Sequence, residues 1–502
     1  MDARARAARL IAVGLSLAAL AAPGCVKESS SAATGPGPNA TFVGYSDPAT
    51  RQTTCGNCHV LKQQSWILTG HAKAWAAVQG SAQAAASCDQ CHTTNGTSNV
   101  GADTAGYLGA SPAARKYYQD VQCEACHGPG AAHIAIPDET QPIPYLVSYD
   151  ASLGVGCGTC HSGAPHASFY EDWSHGAHRG LEGPAISTGG ACLQCHEGKT
   201  VEQRFGGSDV FVEVSDAVAY PIGCATCHNP HGSGNTAELR EPITTKDTTN
   251  LCIQCHKRNA VPDTANTRGP HSPQGPTFLG SSGWRPAGFT WDSTNSTTHA
   301  NASANPTLCA TCHVDTVNVN GGSGRLAWHY TGHGFYGAPC VDTAGVDSTD
   351  SCDVTQRSFV ACTSSRCHAS ADVARTNFIS LDQEMTFLTG LLWVDANGNG
   401  KIDSGDTGLL TQVPSTEFKR DSVITVAEGA LFNVQLVNVD GSRGVHNPPY
   451  LKALLTATAL AVQQQYGLSA PAAAAVRIAG EQRRLGVRIA GPRRLGVRVA
   501  AR

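Results

Sequence analysis

Eight times along this chain two cysteines stand three positions apart with a histidine directly after the second. The sites are Cys55/Cys58/His59, Cys88/Cys91/His92, Cys123/Cys126/His127, Cys157/Cys160/His161, Cys192/Cys195/His196, Cys224/Cys227/His228, Cys252/Cys255/His256 and Cys309/Cys312/His313. Two thiols at that spacing add to the two vinyl groups on one edge of a porphyrin, and the next histidine is then placed to ligate the iron from the proximal side. One copy alone would fit a thioredoxin-like redox pair or half a zinc site equally well. Eight copies between residues 55 and 313 make covalent c-type haem the reading. Such a chain folds around cofactors.

The sequence holds 21 cysteines, 20 histidines and 2 methionines. A less regular stretch, Cys362-Thr-Ser-Ser-Arg-Cys367-His368, has four residues between its cysteines and reads as a ninth site. That reading leaves Cys340 and Cys352 as one disulfide pair and Cys25 unpaired. The alternative joins Cys362 to Cys340 or Cys352, which an oxidising compartment permits.

A haem with both axial positions filled by protein passes electrons and offers no coordination site to a substrate, so the supply of distal ligands bears on function. Methionine is nearly excluded, since Met385 is the only one beyond Met1. Eleven histidines remain after nine proximal ones. Trp66-Ile-Leu-Thr-Gly-His71, Trp173-Ser-His-Gly-Ala-His178 and Trp328-His-Tyr-Thr-Gly-His333 repeat a tryptophan five residues before a histidine, which makes His71, His178 and His333 distal candidates and His175 and His329 spares. His166 and His299 complete the set that residues alone suggest. Without repetition each would be read as a solvated surface histidine.

His133 in CEACHGPGAAH, His231 in CATCHNPH and His271 in Arg268-Gly-Pro-His271 resemble motifs of the multihaem c-type cytochromes, where a histidine just after one site ligates a neighbouring haem. His446 in Gly-Val-His446-Asn-Pro-Pro-Tyr resembles the histidine that opens the last helix of such proteins, and residues 451–462 carry an apolar helical pattern behind it. The resemblance runs from Cys55 to about residue 465 and extends loosely to the outer-surface and periplasmic multihaem cytochromes of metal-reducing bacteria. It implies short helices and long loops wrapped around packed c-haems, little regular β structure and a haem-dominated core. It also implies electron transfer in respiration or to extracellular acceptors, with other redox proteins as partners. Two further readings are kept: a multihaem reductase of nitrite, hydroxylamine or tetrathionate with one open haem, and a subunit of a haem-lined filament or homo-oligomer.

The ends add an address. Arg4, Arg6 and Arg9 precede an apolar run from Leu10 to Ala22 that reads as an export signal over residues 1–24. Leu20-Ala-Ala-Pro-Gly-Cys25 resembles a lipoprotein processing site, so Cys25 is a lipidation candidate at the head of a flexible tether over 25–54. The expected location is the periplasm, the outer membrane or the cell surface. The multihaem domain is expected over 55–370 and a C-terminal segment over 371–465. In that segment Asp395, Asn397, Asn399, the Lys401 carbonyl, Asp403 and Asp406 match the spacing of a calcium loop, with Gly400 at its sixth position. Residues 466–502 read as a basic, low-complexity, disordered tail. A formal charge of −4 gives no reason to expect nucleic acid.

Overall fold

A single helical turn is the smallest element that presents Cys, Cys and His together, and the computed structural model of the chain is built largely from such turns. The structure describes residues 42–491, leaving out 83, 97–104, 138–155, 164, 165, 167, 181–189, 207–218, 266, 267, 296–298, 348, 349, 420 and the side chains of 364–366. The export signal, Cys25, the tether up to residue 41 and residues 492–502 therefore lie outside the described residues. Among the described residues no helix is long and apolar enough to cross a membrane.

The chain divides into two units, Met1–Val147 and Ser148–Arg502, so the stretch expected as one multihaem domain is shared between them. In the first, a two-stranded antiparallel ribbon of β1 (Tyr45–Asp47) and β2 (Gln52–Thr53) precedes short helices at Val60–Trp66, Ala74–Gln79, Asp89–His92 and Cys123–His127. Its apolar centres are small. Phe42, Tyr107 and Tyr118 form one and Tyr45, Trp66 and Ala72 another. A buried carboxylate ties them together: Glu124, inside the third haem motif, accepts from the N–H groups of Val43 at 3.0 Å, Gly44 at 2.8 Å and Gly130 at 2.8 Å.

In the second unit the motif turns at Cys157–Thr159, Leu193–His196, Cys224–Cys227 and Cys309–His313 alternate with loops. A hairpin of β3 (Val317–Asn320) and β4 (Leu326–Tyr330) and a minimal pair, β5 (Val341–Asp342) and β6 (Gly345–Val346), are its only two sheets among the described residues. Val317 and Val319 point inward and their asparagine neighbours outward, the period of a half-buried strand.

Four longer helices follow, and here side chains do fill a core. Helix α1 (Ala371–Leu392) is capped by Ser370, whose side chain accepts from the Val373 N–H. Helix α2 (Val426–Asp440) opens with a capping box between Thr425 and Glu428 and stops at Gly441, whose φ of 72° only glycine adopts freely. Helix α3 (Pro448–Tyr466) is buried on nearly every face and forms the centre, with α4 (Ala472–Arg484) alongside. Leu388, Leu392, Leu410, Leu436, Leu451, Leu454 and Ile478 meet in one apolar cluster. The haem-dominated core expected from sequence is thus accompanied by an ordinary hydrophobic one.

The tail read as disordered is folded as far as residue 491. Ala474 and Ile478 are buried on one face of α4, Leu485 and Val487 fill a second small cluster, and Thr290 and Arg488 exchange backbone hydrogen bonds at 2.9 Å. The repeats look simple, but their apolar residues fall at helical spacing and find a groove.

Candidate haem-binding sites

The backbone shapes each motif before any side chain acts. The N–H of the proximal histidine donates to the carbonyl of the first cysteine, His59 to Cys55, His161 to Cys157 and His228 to Cys224 at 2.9 Å and His256 to Cys252 at 3.0 Å. At the irregular motif the His368 N–H donates to the Cys362 carbonyl at 3.1 Å. Its two extra residues are absorbed within the turn, and the same closure results. Cys340 is bonded to Cys352, so the disulfide does not take up Cys362 or Cys367.

The second cysteines of the first four motifs differ in exposure. Cys58 is exposed, whereas Cys91, Cys126 and Cys160 are half-buried, as are Cys88 and Cys192 at the head of their motifs. Thioethers are expected at all of these positions, with the turn supplying the spacing and the cofactor the vinyl carbons.

Six proximal histidines stand opposite a second imidazole at nearly one distance. Ring centroids are 6.4 Å apart for His59 and His133, 6.1 Å for His256 and His178, and 5.9 Å for His196 and His271. They are 6.3 Å apart for His228 and His333, 6.3 Å for His368 and His299, and 6.1 Å for His313 and His446. A metal–imidazole bond of about 2.0–2.1 Å, plus about 1.1 Å from nitrogen to ring centre on each side, gives about 6.3 Å for two imidazoles on one metal. The residues present therefore fit an iron between each pair. The interplanar angles run from 23° to 72°. We assign no pairing to His92, His127 and His161, or to His71, His166 and His231.

The other ring nitrogen is held as well. Nδ1 faces a backbone carbonyl in His92 (Ala74, 2.9 Å), His228 (Ala237, 2.8 Å), His299 (Val445, 2.9 Å) and His313 (Phe335, 2.8 Å). His256 uses the Gln274 side chain at 3.2 Å. Donating Nδ1–H to an acceptor fixes the tautomer that leaves Nε2 for metal. His446 differs, because its Nδ1 meets a carboxylate, Asp440, at 2.8 Å with the Asp440 side chain fully buried.

Burial also favours the neutral imidazole that a metal requires. It brings His178 down to about 4, helped by the nearby His256 and His313, and His333 down to about 4, helped by His228. Burial is the leading cause of the lowering at His228, His256, His299 and His313 too. At His446 burial pulls the same way, but the Asp440 charge and hydrogen bond outweigh it and the net shift is upward.

The repeated tryptophans have a common role. Each is buried, and its indole N–H donates to a fixed acceptor: Trp66 to the Val121 carbonyl at 3.0 Å, Trp173 to the Ile222 carbonyl at 2.9 Å and Trp328 to Asp172 at 3.2 Å. The spare His329 bonds Asn318 through Nδ1 at 2.6 Å, and the carbonyl of His175 accepts from the Tyr336 hydroxyl at 2.8 Å.

Sequence reading missed Glu124, Asp172 and Asp440. A signal existed for the last, since an acid at a helix C-terminus opposes the helix dipole and needs another reason to be there. Asp172 had none. It is fully buried and accepts from the Thr331 N–H at 2.6 Å, the Thr331 hydroxyl at 2.7 Å and Trp328, yet burial prevails and raises its carboxyl to about 6. The native state thus prefers the neutral acid, whereas the unfolded chain ionises near ~3.9. The associated stability is present below about pH 4 and lost as pH rises through about 6. Across that window the protein is expected to lose about 2–3 kcal/mol from this group. Asp172→Asn should flatten the profile in thermal unfolding of the holoprotein, and parallel profiles for the two proteins would refute the assignment.

The loop at 395–406 wraps its own carboxylates. Asp395 accepts from the N–H groups of Gly398 at 2.8 Å and Gly400 at 2.7 Å, Asp403 accepts from Asn399 Nδ2 at 2.7 Å, and Asp406 accepts from Trp393 Nε1 at 2.8 Å. Among the described residues no group of three or more His, Cys, Asp or Glu side chains is placed to hold an ion.

Two families match parts of the chain, the doubled CXXCH motif at residues 218–261 and cytochrome c554 and c-prime at 54–128. The C-type polyheme cytochrome OmcB of Geobacter sulfurreducens is 29% identical over 195 residues, 34% of this chain and 24% of that protein. The multiheme cytochrome MtrA of Shewanella baltica is 25% identical over 202 residues, 36% of this chain and 55% of that one. The chain thus spans about a quarter of the length of the first relative and about half of the second. Among solved structures, the outer cell wall cytochrome OcwA is 20% identical, with 75% of this chain and 76% of that chain covered and a TM-score of 0.44. By its motifs and these sequence matches the chain is a multihaem c-type cytochrome, resembling the multihaem cytochromes of metal-reducing bacteria.

Proposed function

We propose that the protein passes electrons along nine c-type haems, each closed by two histidines, in respiratory or extracellular electron transfer. The observation that carries this reading is the common spacing of 5.9–6.4 Å in six proximal–distal histidine pairs. When bound, each haem supplies a one-electron couple. The chain's own part is to fill both axial positions, to favour the neutral imidazole by burial at His178, His228, His256, His299, His313 and His333, and to orient His92, His228, His256, His299, His313 and His446 through Nδ1. Imidazole on both sides sets the couples lower than histidine–methionine ligation would. The export signal and Cys25 support a lipid-anchored protein of the periplasm or outer membrane, exchanging electrons with other redox proteins or an extracellular acceptor. We further propose a calcium ion at Asp395, Asn397, Asn399, Lys401, Asp403 and Asp406. The support is the ligand spacing and Gly400, whose φ of 73° suits the sharp turn at that position.

Two measurements on the mature protein test this together. Its oxidised paramagnetic resonance spectrum is expected to contain low-spin haem only, and a high-spin signal of one haem equivalent would favour the reductase reading. Its native mass is expected to contain nine haems, one calcium and an acylated Cys25. Eight haems would remove Cys362 and Cys367 from the list of attachment sites.

A further inference from the structure

One guanidinium joins two motifs in the second unit. Arg204 donates to Cys255 at 3.2 Å and to Cys195 at 3.8 Å, so the attachment cysteines of the His196 and His256 sites face one shared side chain.

A second observation, independent of the thiols, converges on the same place. The Phe335 ring meets His178 edge-on at 4.6 Å and 78°, and lies 6.0 Å from His333. The Phe335 carbonyl accepts from His313 Nδ1 at 2.8 Å. One residue therefore touches a ligand of the His256 site, a ligand of the His228 site and the proximal histidine of the next. Its φ is 60°, a left-handed conformation that a bulky side chain rarely adopts and that persists only where the surroundings enforce it. The flanking Gly332, with φ of 80°, and Gly334 let the loop turn tightly enough to bring both its ring and its carbonyl to the site.

We propose that the electron path in this unit is branched rather than linear, with its junction at the site of Cys252, Cys255 and His256, and that Phe335 is the positioning residue of that junction. The inference rests on the conduit reading above. An electron delivered by an external one-electron donor moves between sites by oxidising one iron and reducing the next, and no bond or proton changes place. From the junction it has three ways out, toward His196, His228 and His313.

Two experiments test it on the holoprotein. In an experimental structure of the wild type, the iron of the His256 site is expected to have three irons at short range, those of His196, His228 and His313. If it has only two while all haems are present and low-spin, the branch is overturned and the conduit survives; missing or high-spin haems would instead overturn the conduit. The second experiment is Phe335→Gly, which relieves the backbone strain and keeps the carbonyl but deletes the ring. It is expected to retain the wild-type haem count and to shift two low-spin resonance signals, those of the His178 and His333 ligands, while Phe335→Tyr leaves both in place. A Phe335→Gly spectrum identical to the wild type, or one in which haem is lost throughout, would overturn the positioning role.

Discussion

Replacing His446 by alanine is expected to open one iron and leave the others low-spin. His446 stands 6.1 Å from the proximal His313, and Asp440 holds its Nδ1 from a fully buried position at the end of α2. Asp440 is the last residue of α2 and His446 lies in the turn between α2 and α3, outside the motif loops, so removing the ring is expected to take away a ligand without loosening the site. The oxidised spectrum should gain a high-spin signal of one haem equivalent. Asp440→Asn should keep the ligand but weaken its push. Outer-shell partners of this kind are worth about 10–100-fold in metal affinity. If that loss falls on the ferric state, one midpoint potential rises by about 60–120 mV at about 59 mV per tenfold. Asp440 is thus the lever that keeps this haem the better reductant. A redox titration of Asp440→Asn that superimposes on the wild type would sink the assignment, as would high-spin signals from several haems in His446→Ala.

A chain whose motif cysteines are all serine is expected to fold only in part. Between residues 148 and 370 the buried apolar cluster among the described residues is Trp328, Tyr330 and Val346, far too little to offset the entropy of so many loop residues. Those segments should stay unfolded without haem, as metal-site domains do without metal. Helices α1 to α4 are different. Each fully buried leucine among Leu392, Leu410, Leu451, Leu454 and Leu455 contributes about 1.5–3 kcal/mol, and no cofactor is needed for that contact. Limited proteolysis should therefore leave a helical fragment containing α1 to α4 after the haem segments are gone. Digestion of the whole chain at one rate would mean that the bundle, too, depends on haem.

Much of this was legible in the residues. The repeated Cys-x-x-Cys-His states its chemistry locally, because the thiols, the histidine and the turn that joins them lie within five positions. The short-helix architecture follows from it, since segments this short and this rich in small residues cannot sustain long elements. The candidate distal histidines could be named, because His178 and His333 sit in a repeated context and His446 precedes an apolar helix. The partner of each could not. His133 faces His59 across 74 positions and His446 faces His313 across 133, and nothing in the local pattern encodes either distance. The folded tail was missed for a related reason: the apolar residues of a low-complexity repeat count as structure only once a groove exists to receive them.

The sequence by itself determined that this is a multihaem c-type cytochrome with eight regular Cys-x-x-Cys-His motifs and far more histidine than methionine, because the attachment motif is a property of neighbouring residues. Tertiary structure alone decided which imidazole faces which, that Asp440 backs one of them and that His178, His333 and His313 lie around Phe335. Those are contacts between segments far apart in the chain, and only the packing of turns, loops and the C-terminal helices brings them within bonding distance.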